Sequence, residues 1–162
     1  ALFATWLHDA DSAGVPEPHT ATLATIGIDG VPDARTLILK MIDERGWAFA
    51  STRSSRKGAQ LEASPAAALN FWWQPQVRAV RVRGRVQEAT AEESAADLAA
   101  RSPAARAEIA DGDWVLWWIV PTRIEFWQGS RDRRHTRVIY DAVDAGWSLS
   151  SVMEGSVGRE TR

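Results

Sequence analysis

Three arginine- and lysine-bearing stretches of this chain have the residue types and spacing to hold an anionic ligand. Ser55-Arg56-Lys57 places a hydroxyl and two cations where a helix should begin, and free N–H groups at a helix start add a partial positive charge. That combination suits a phosphate, although a solvated helix start is the simpler reading of those residues alone. Arg35 and Lys40 flank the apolar Thr36-Leu37-Ile38-Leu39 of one extended run. Arg131, Arg133, Arg134 and Arg137 surround His135, directly after the aromatic stretch Glu125-Phe126-Trp127-Gln128-Gly129. Histidine between arginines and beside an indole reads as a pocket wall for an anionic aromatic molecule, with a ring that titrates near about 6.5 when free. Arg81, Arg83 and Arg85 share one face of a strand by the period-2 rule, and there a solvated sheet face is the simpler reading. Other chemistries fail. There is no glycine-rich dinucleotide fingerprint, no phosphate loop ending in Gly-Lys-Ser/Thr, no His-Glu-x-x-His and no nucleophile elbow. With no cysteine and with His8, His19 and His135 far apart, no metal site is expected.

The elements that must position these residues are mostly strands. Leu2, Phe3, Trp6 and Leu7 have helical spacing, so residues 1–10 read as a short helix, followed by a Pro-rich arm at 15–18. Thr22–Ile28 and Ala34–Met41 flank Asp29-Gly30, a strong hairpin signal. Asp43-Glu44-Arg45-Gly46 then turns into Trp47–Ser51. Ser54 or Ser55 opens a helix that closes before Pro65. Ala66–Trp73 and Arg78–Glu88 are strands, and Thr90 with Glu93 makes a capping box for a helix running to about Arg101. Pro103–Ala110 forms a second short helix. Trp114–Trp127, Arg137–Tyr140 and Gly146–Val152 complete the strands. Six or more antiparallel strands with few helices predict a small mainly β barrel with flanking short helices. A single domain is expected over residues 1–154, with a flexible tail at 155–162.

The chain has 162 residues, a formal charge of −2 and 45% hydrophobic residues. Such a length hides roughly 69% of the unfolded surface on folding, enough for a core without staples. Nine tryptophans against one tyrosine supply large flat apolar faces for a core, an interface or a planar ligand. The negative balance argues against nucleic acid, whose backbone demands surplus positive charge. No apolar run approaches the roughly 20 residues that span a bilayer. No membrane partner is expected, and the cysteine-free composition fits a cytoplasmic protein.

Taken in order, these segments resemble the pyridoxamine/pyridoxine 5′-phosphate oxidase family. The matching stretches are Glu17-Pro18-His19, Leu23-Ala24-Thr25, Gly30-Val31-Pro32, Ala34 through Lys40 and Ser55-Arg56-Lys57-Gly58. They continue with Arg83-Gly84-Arg85-Val86, Ile124 through Gly129 and Arg133 through Arg137, covering most of residues 15–140. The resemblance implies a six-stranded antiparallel FMN-binding split β-barrel acting as a homodimer with FMN sites at its interface. It implies that Arg35, Thr36, Leu37, Ile38, Leu39 and Lys40 line the flavin, with Ala50 and Ser51 in backbone contact and Arg56 and Lys57 on its phosphate. Trp127 and Arg137 are implied to reach the partner's flavin. Lys40 and Arg101 are implied to bind the anionic end of the substrate, and Arg133 and His135 its ring, as the catalytic pair. The implied reaction passes a hydride from a small anionic aromatic, such as pyridoxamine or pyridoxine 5′-phosphate, to flavin N5, with oxygen as reoxidant. The chain departs from the family pattern at several places. Ala79 replaces a flavin-contacting glutamine, Asp97 a phosphate-binding tyrosine and Ala105 a phosphate-binding serine. A Gln-Ser pair on the flavin is missing from the shortened segment 108–113, and Arg134 and Thr136 replace a leucine and an aspartate. These departures keep two alternatives open: a flavin oxidase of another pathway such as phenazine biosynthesis, or a non-catalytic flavin or B6-phosphate binder.

Overall fold

The computed structural model describes residues 2–154; the expected tail at 155–162 lies outside the described residues. Nine strands form one antiparallel sheet: β1 (Thr20–Ile26), β2 (Pro32–Ile38), β3 (Met41–Asp43), β4 (Gly46–Thr52), β5 (Ala66–Trp73), β6 (Arg78–Glu88), β7 (Trp114–Gln128), β8 (His135–Val143) and β9 (Gly146–Glu154). Helices α1 (Leu2–Ser12), α2 (Arg56–Ala63), α3 (Ala91–Ala99) and α4 (Pro103–Ala107) lie between them. The strand order is β2-β1-β5-β6-β7-β4-β3, with β8 on β7 and β9 on β8.

The expected mainly β, antiparallel barrel is present, with nine strands rather than six among the described residues. One reason is that 34–41 is not a single strand. After Ile38 the backbone crosses from one sheet edge to the other. Leu39 N–H donates to the His19 carbonyl at 3.0 Å, beside β1, and Lys40 N–H donates to the Ala48 carbonyl at 2.8 Å, on β4. These two bonds continue the β1–β2 and β3–β4 ladders, so the chain passes directly from one end of the strand order to the other as the sheet curls. The split arises in β7. Its first part, Trp114–Ile119, pairs with β4, whereas its last part, Arg123–Gln128, pairs with β8. Between them the β6–β7 register slips at Arg83/Gly84, a bulge that bends the strand. Gly84 is required there because a Cβ would sit 1.9 Å from the Val120 carbonyl oxygen.

Alternation along β1, β5 and β6 turns Leu23, Leu69, Phe71, Val80 and Val82 inward, all essentially inaccessible. Helix α1 plugs one end: Phe3 stands edge-on to Phe71 at 4.9 Å and to Trp47 at 5.6 Å. Burying such a ring stabilises the fold by about 2–3 kcal/mol. The Pro-rich arm is tied down by Trp73, whose indole N–H donates to the Pro18 carbonyl at 2.8 Å. The capping box at Thr90 forms as expected, with both reciprocal bonds to Glu93 made. Strand β8 begins at His135, earlier than the predicted Arg137, and α4 stops at Ala107.

Candidate functional site

Three clusters collect the residues singled out in the sequence. The first joins β2 to the start of α2. Asp33 and Arg35 face the same side of β2 by alternation, and they pair at 2.8 Å. The Arg35 guanidinium also donates to Thr25 Oγ1 on β1 and to Gln60 Oε1 on α2 at 3.0 Å. Thr25 and Gln60 are both nearly inaccessible and bond to each other at 2.6 Å. Arg35 is thus held by a buried polar network, not left as a swinging surface cation. Hydrogen bonding from Gln60, with the nearby charges of Arg35 and Arg56, holds the Asp33 carboxyl below the usual carboxylate range.

Helix α2 opens as the sequence suggested, with Ser55 as its N-cap accepting from Gly58 N–H at 3.2 Å. Gly58 is needed there, since a Cβ would lie 2.1 Å from the Arg53 carbonyl oxygen. The preceding loop is pinned by Asp113, which accepts from Ser54 N–H at 2.8 Å and from Ser54 Oγ at 2.6 Å. Arg56 is exposed on this helix start and Lys57 partly buried. Burial, and then the positive charge of Arg35, pushes the Lys57 ammonium below its ordinary value. No carboxylate pairs with Lys57 among the described residues. Two cations held together, one of them partly desolvated and unpaired, form a place that an anion would relieve.

The second cluster lies beyond the end of β2, at the link to β3. Lys40 Nζ pairs with Asp97 Oδ1 of α3 at 3.1 Å. Asp97 Oδ2 accepts from the Trp114 indole N–H at 2.9 Å. The Arg101 guanidinium lies over the Trp114 ring, 4.5 Å from its centroid. Sequence position alone indicated only that Asp97 would repel an anion here; the structure adds that it is the counter-ion of Lys40. Of the two strand positions expected nearby, Ala50 is partly buried, and Ser51 is buried with its hydroxyl donating to the Thr52 carbonyl at 3.2 Å. Thr36 and Ile38 are exposed on the outer face of β2, opposite to the partly buried Leu37; Leu39 is buried.

The third cluster is the β7–β8 hairpin. His135 and Trp127 rings lie 4.9 Å apart, and Ser130 N–H donates to His135 Nδ1 at 3.1 Å. An accepting Nδ1 leaves the proton of the neutral imidazole on Nε2. The turn also holds Arg133 at φ 64°, a left-handed conformation uncommon for a side-chain-bearing residue. Arg137, opposite Trp127 in the β7–β8 register, donates to buried Glu125 at 3.1 Å, which Arg81 also engages. Sequence reasoning missed Glu125, Thr25 and Gln60 as the groups that hold these arginines; only the Asp33–Arg35 period hinted at such support. Trp127 lies on β7 and His135 and Arg137 on β8, whereas Arg35 lies on β2, with β1, β5 and β6 between β2 and β7 in the strand order.

The structure is thus a curled antiparallel sheet with cations along one strand and at the start of a helix. Comparison with known proteins makes the assignment specific. Residues 7–128 match the model of the pyridoxamine 5′-phosphate oxidase family, and residues 114–152 match the pyridoxine 5′-phosphate oxidase C-terminal dimerisation region. The chain belongs to the pyridoxamine 5′-phosphate oxidase family, a family of FMN-dependent oxidoreductases. It is 38% identical to the pyridoxine/pyridoxamine 5′-phosphate oxidase of Thermosynechococcus vestitus, over 90% of this chain and 83% of that protein. The Bordetella petrii enzyme of the same name is 39% identical over 91% and 85%. Among solved structures, PhzG from Burkholderia lata, in complex with tetrahydrophenazine-1-carboxylic acid, superposes with a TM-score of 0.87 at 25% identity, covering 94% of this chain and 90% of that one. A pyridoxamine 5′-phosphate oxidase-related FMN-binding protein from Nostoc punctiforme shares the fold, with a TM-score of 0.80 at 18% identity, over 93% and 94%.

Proposed function

We propose that this protein is an FMN-dependent oxidase of pyridoxamine or pyridoxine 5′-phosphate, or of a small anionic aromatic of similar shape. The observation that carries the cofactor half is the cation pair Arg35–Lys57, where a partly desolvated ammonium lacks a carboxylate partner among the described residues. In this reading Arg56 and Lys57 bind the FMN phosphate, with Arg35 beside it. The rest of β2 to Lys40, with Ala50 and Ser51, lines the cofactor. Bound FMN supplies a hydride acceptor at N5 that oxygen then reoxidises. The protein's own part is to orient and charge the site. Arg101, with Lys40, holds the anionic end of the substrate. Arg133 clamps the ring, and His135, with its Nε2 carrying the proton, donates a hydrogen bond to it.

In this reading Trp127, Arg133, His135 and Arg137 serve the flavin of the partner subunit in a homodimer. The match of residues 114–152 to a dimerisation region supports that arrangement. So do the exposed apolar side chains Trp147, Leu149 and Met153, which alternation places on one face of β9, since exposed apolar surface marks interfaces. The continuous sheet supports one domain over 1–154, and the lack of cysteine fits a cytoplasmic setting. No helix among the described residues is long and apolar enough to cross a membrane. A second reading, oxidation of a phenazine-type carboxylic acid, is favoured by the likeness to PhzG.

The test is to purify the protein, reconstitute it with FMN and mix it anaerobically with pyridoxamine 5′-phosphate, pyridoxine 5′-phosphate or a dihydrophenazine carboxylic acid. Bleaching of the flavin absorbance, followed by oxygen uptake and recovery on aeration, is expected for at least one of them. Stoichiometric FMN that no such donor reduces would leave a binding protein instead of an oxidase.

A further inference from the structure

The corner where the β2–β3 link, α3 and the first residue of β7 meet contains two cations, one carboxylate and an indole. Both oxygens of Asp97 are committed, Oδ1 to Lys40 at 3.1 Å and Oδ2 to the Trp114 N–H at 2.9 Å. Its side chain is only 9% exposed, whereas Lys40 keeps 25%. The helix that carries Asp97 is itself fixed, by the Thr90–Glu93 capping box and by the pairing of Glu93 with Arg45 of the β3–β4 turn at 2.7 Å. The carboxylate therefore cannot swing aside without losing both bonds. Arg101 has no carboxylate partner among the described residues, and its Nε is buried without an acceptor.

We propose that Asp97 is a specificity-determining residue, which matches this corner to an aromatic substrate with a singly charged carboxylate head and disfavours a phosphate dianion. The inference rests on the reading of Lys40 and Arg101 as the cations that hold the substrate's anionic end. Their two positive charges less that of Asp97 leave one net positive charge. An anion that engages Lys40 must share it with Asp97 and lie a few ångströms from that negative group. The repulsion scales with the ligand's charge. A phosphate monoester carries about −1.5 to −2 at pH 7, so Asp97 cancels nearly twice as much of its attraction to the two cations as of a carboxylate's, while its cost of leaving water rises faster than its charge. Arg101, over the Trp114 ring and with no carboxylate partner among the described residues, offers a planar fork that suits a planar carboxylate in two parallel hydrogen bonds. Ala105, on the short helix after Arg101, offers no hydroxyl to a third phosphate oxygen.

The test uses two ligands with one ring and different heads, 1-naphthoate and 1-naphthyl phosphate, titrated by calorimetry into the FMN-loaded protein. Wild type should bind the carboxylate more tightly. Asp97→Asn removes the charge and keeps an acceptor for Trp114, and it should tighten the phosphate by about tenfold while changing the carboxylate much less. Asp97→Ser should move the phosphate in the same direction. Variants that keep FMN and the wild-type Tm yet shift both ligands equally, or neither, overturn the proposal. So does failure of all three proteins to bind either ligand. Should wild type take up no FMN, the oxidase reading fails separately, and the same titrations on the flavin-free protein still report the order of the two heads.

Discussion

With Arg56 and Lys57 on the FMN phosphate, as proposed, removing both side chains would take away two charge-assisted contacts, each of about 1.5–3 kcal/mol. In Arg56→Ala/Lys57→Ala, FMN affinity should fall at least tenfold, while riboflavin, which lacks the phosphate, should change little. Equal losses in fluorescence titrations with both ligands would refute phosphate recognition at this helix start. The lowered titration of Lys57 adds a pH signature. Its ammonium attracts the phosphate only while protonated, so affinity is full at neutral pH and declines as pH rises through the Lys57 value, which lies below the ordinary 10.5. Lys57→Arg keeps its charge throughout that range and should remove the alkaline decline. A decline of the same position and size in Lys57→Arg would assign it to another group.

The start of α2 depends on a residue from the segment before β7, because Asp113 accepts both the N–H and the hydroxyl of Ser54. These bonds, the hydroxyl's first, hold the Asp113 carboxyl below its ordinary 3.8. A depressed carboxylate contributes stability that is complete above the unfolded value and is lost as pH falls through the folded one. FMN affinity should therefore show no Asp113-linked change from pH 5 upward. Asp113→Ala should weaken FMN severalfold, and Asp113→Asn, which can still accept and donate, should restore most of it. If alanine and asparagine behave alike, the loop is not positioned by this contact. On the β7–β8 hairpin, buried Glu125 accepts from both Arg137 and Arg81. Glu125→Ala removes these charge-assisted bonds and should cost about 1–2 kcal/mol, because Arg81 is 58% exposed and screened by water. For a chain of this size that is a fall in Tm of roughly 2–8 °C. An unchanged melting curve would show that the pairs are solvent-screened and contribute little.

The protein as a whole should be a dimer whose flavin sites are complete only when two chains meet. Sedimentation should report twice 17.9 kDa. A stable monomer that still retains one FMN per chain would sink the shared-site arrangement. Trp127 and Arg137 are fixed on β7 and β8 by pairing and by Glu125, on strands other than the β2 that carries Arg35. A mixed dimer gives a sharper version of the same expectation. Combining one chain that carries Arg56→Ala/Lys57→Ala with another that carries Trp127→Ala should leave one intact site and one doubly damaged site. FMN bound at half stoichiometry with near wild-type affinity is the expected result, and two equal weakened sites would contradict it.

Local chemistry was legible in the sequence wherever short-range rules decide the outcome. Strand alternation in β1, β5 and β6, the Ser55 and Thr90 caps and the turn at Asp29-Gly30 need only neighbours along the chain. The ordered motifs from Arg35 through Arg137 carried the family likeness, and with it the barrel and its cofactor. Three things depended on the tertiary structure. The break at Leu39–Lys40 could not be read from an unbroken run of β-forming residues, because it comes from hydrogen bonds to His19 and Ala48 that exist only once the barrel closes. The anchoring of Arg35 by Thr25 and Gln60 joins residues from three elements. Asp97 looked from its position like a repulsive intruder. Folding makes it the counter-ion of Lys40 and the acceptor of Trp114, because α3, the β2–β3 link and β7 converge there. Sequence records which charges a chain owns; which of them neutralise one another is decided by the packing that brings distant elements within about 3 Å.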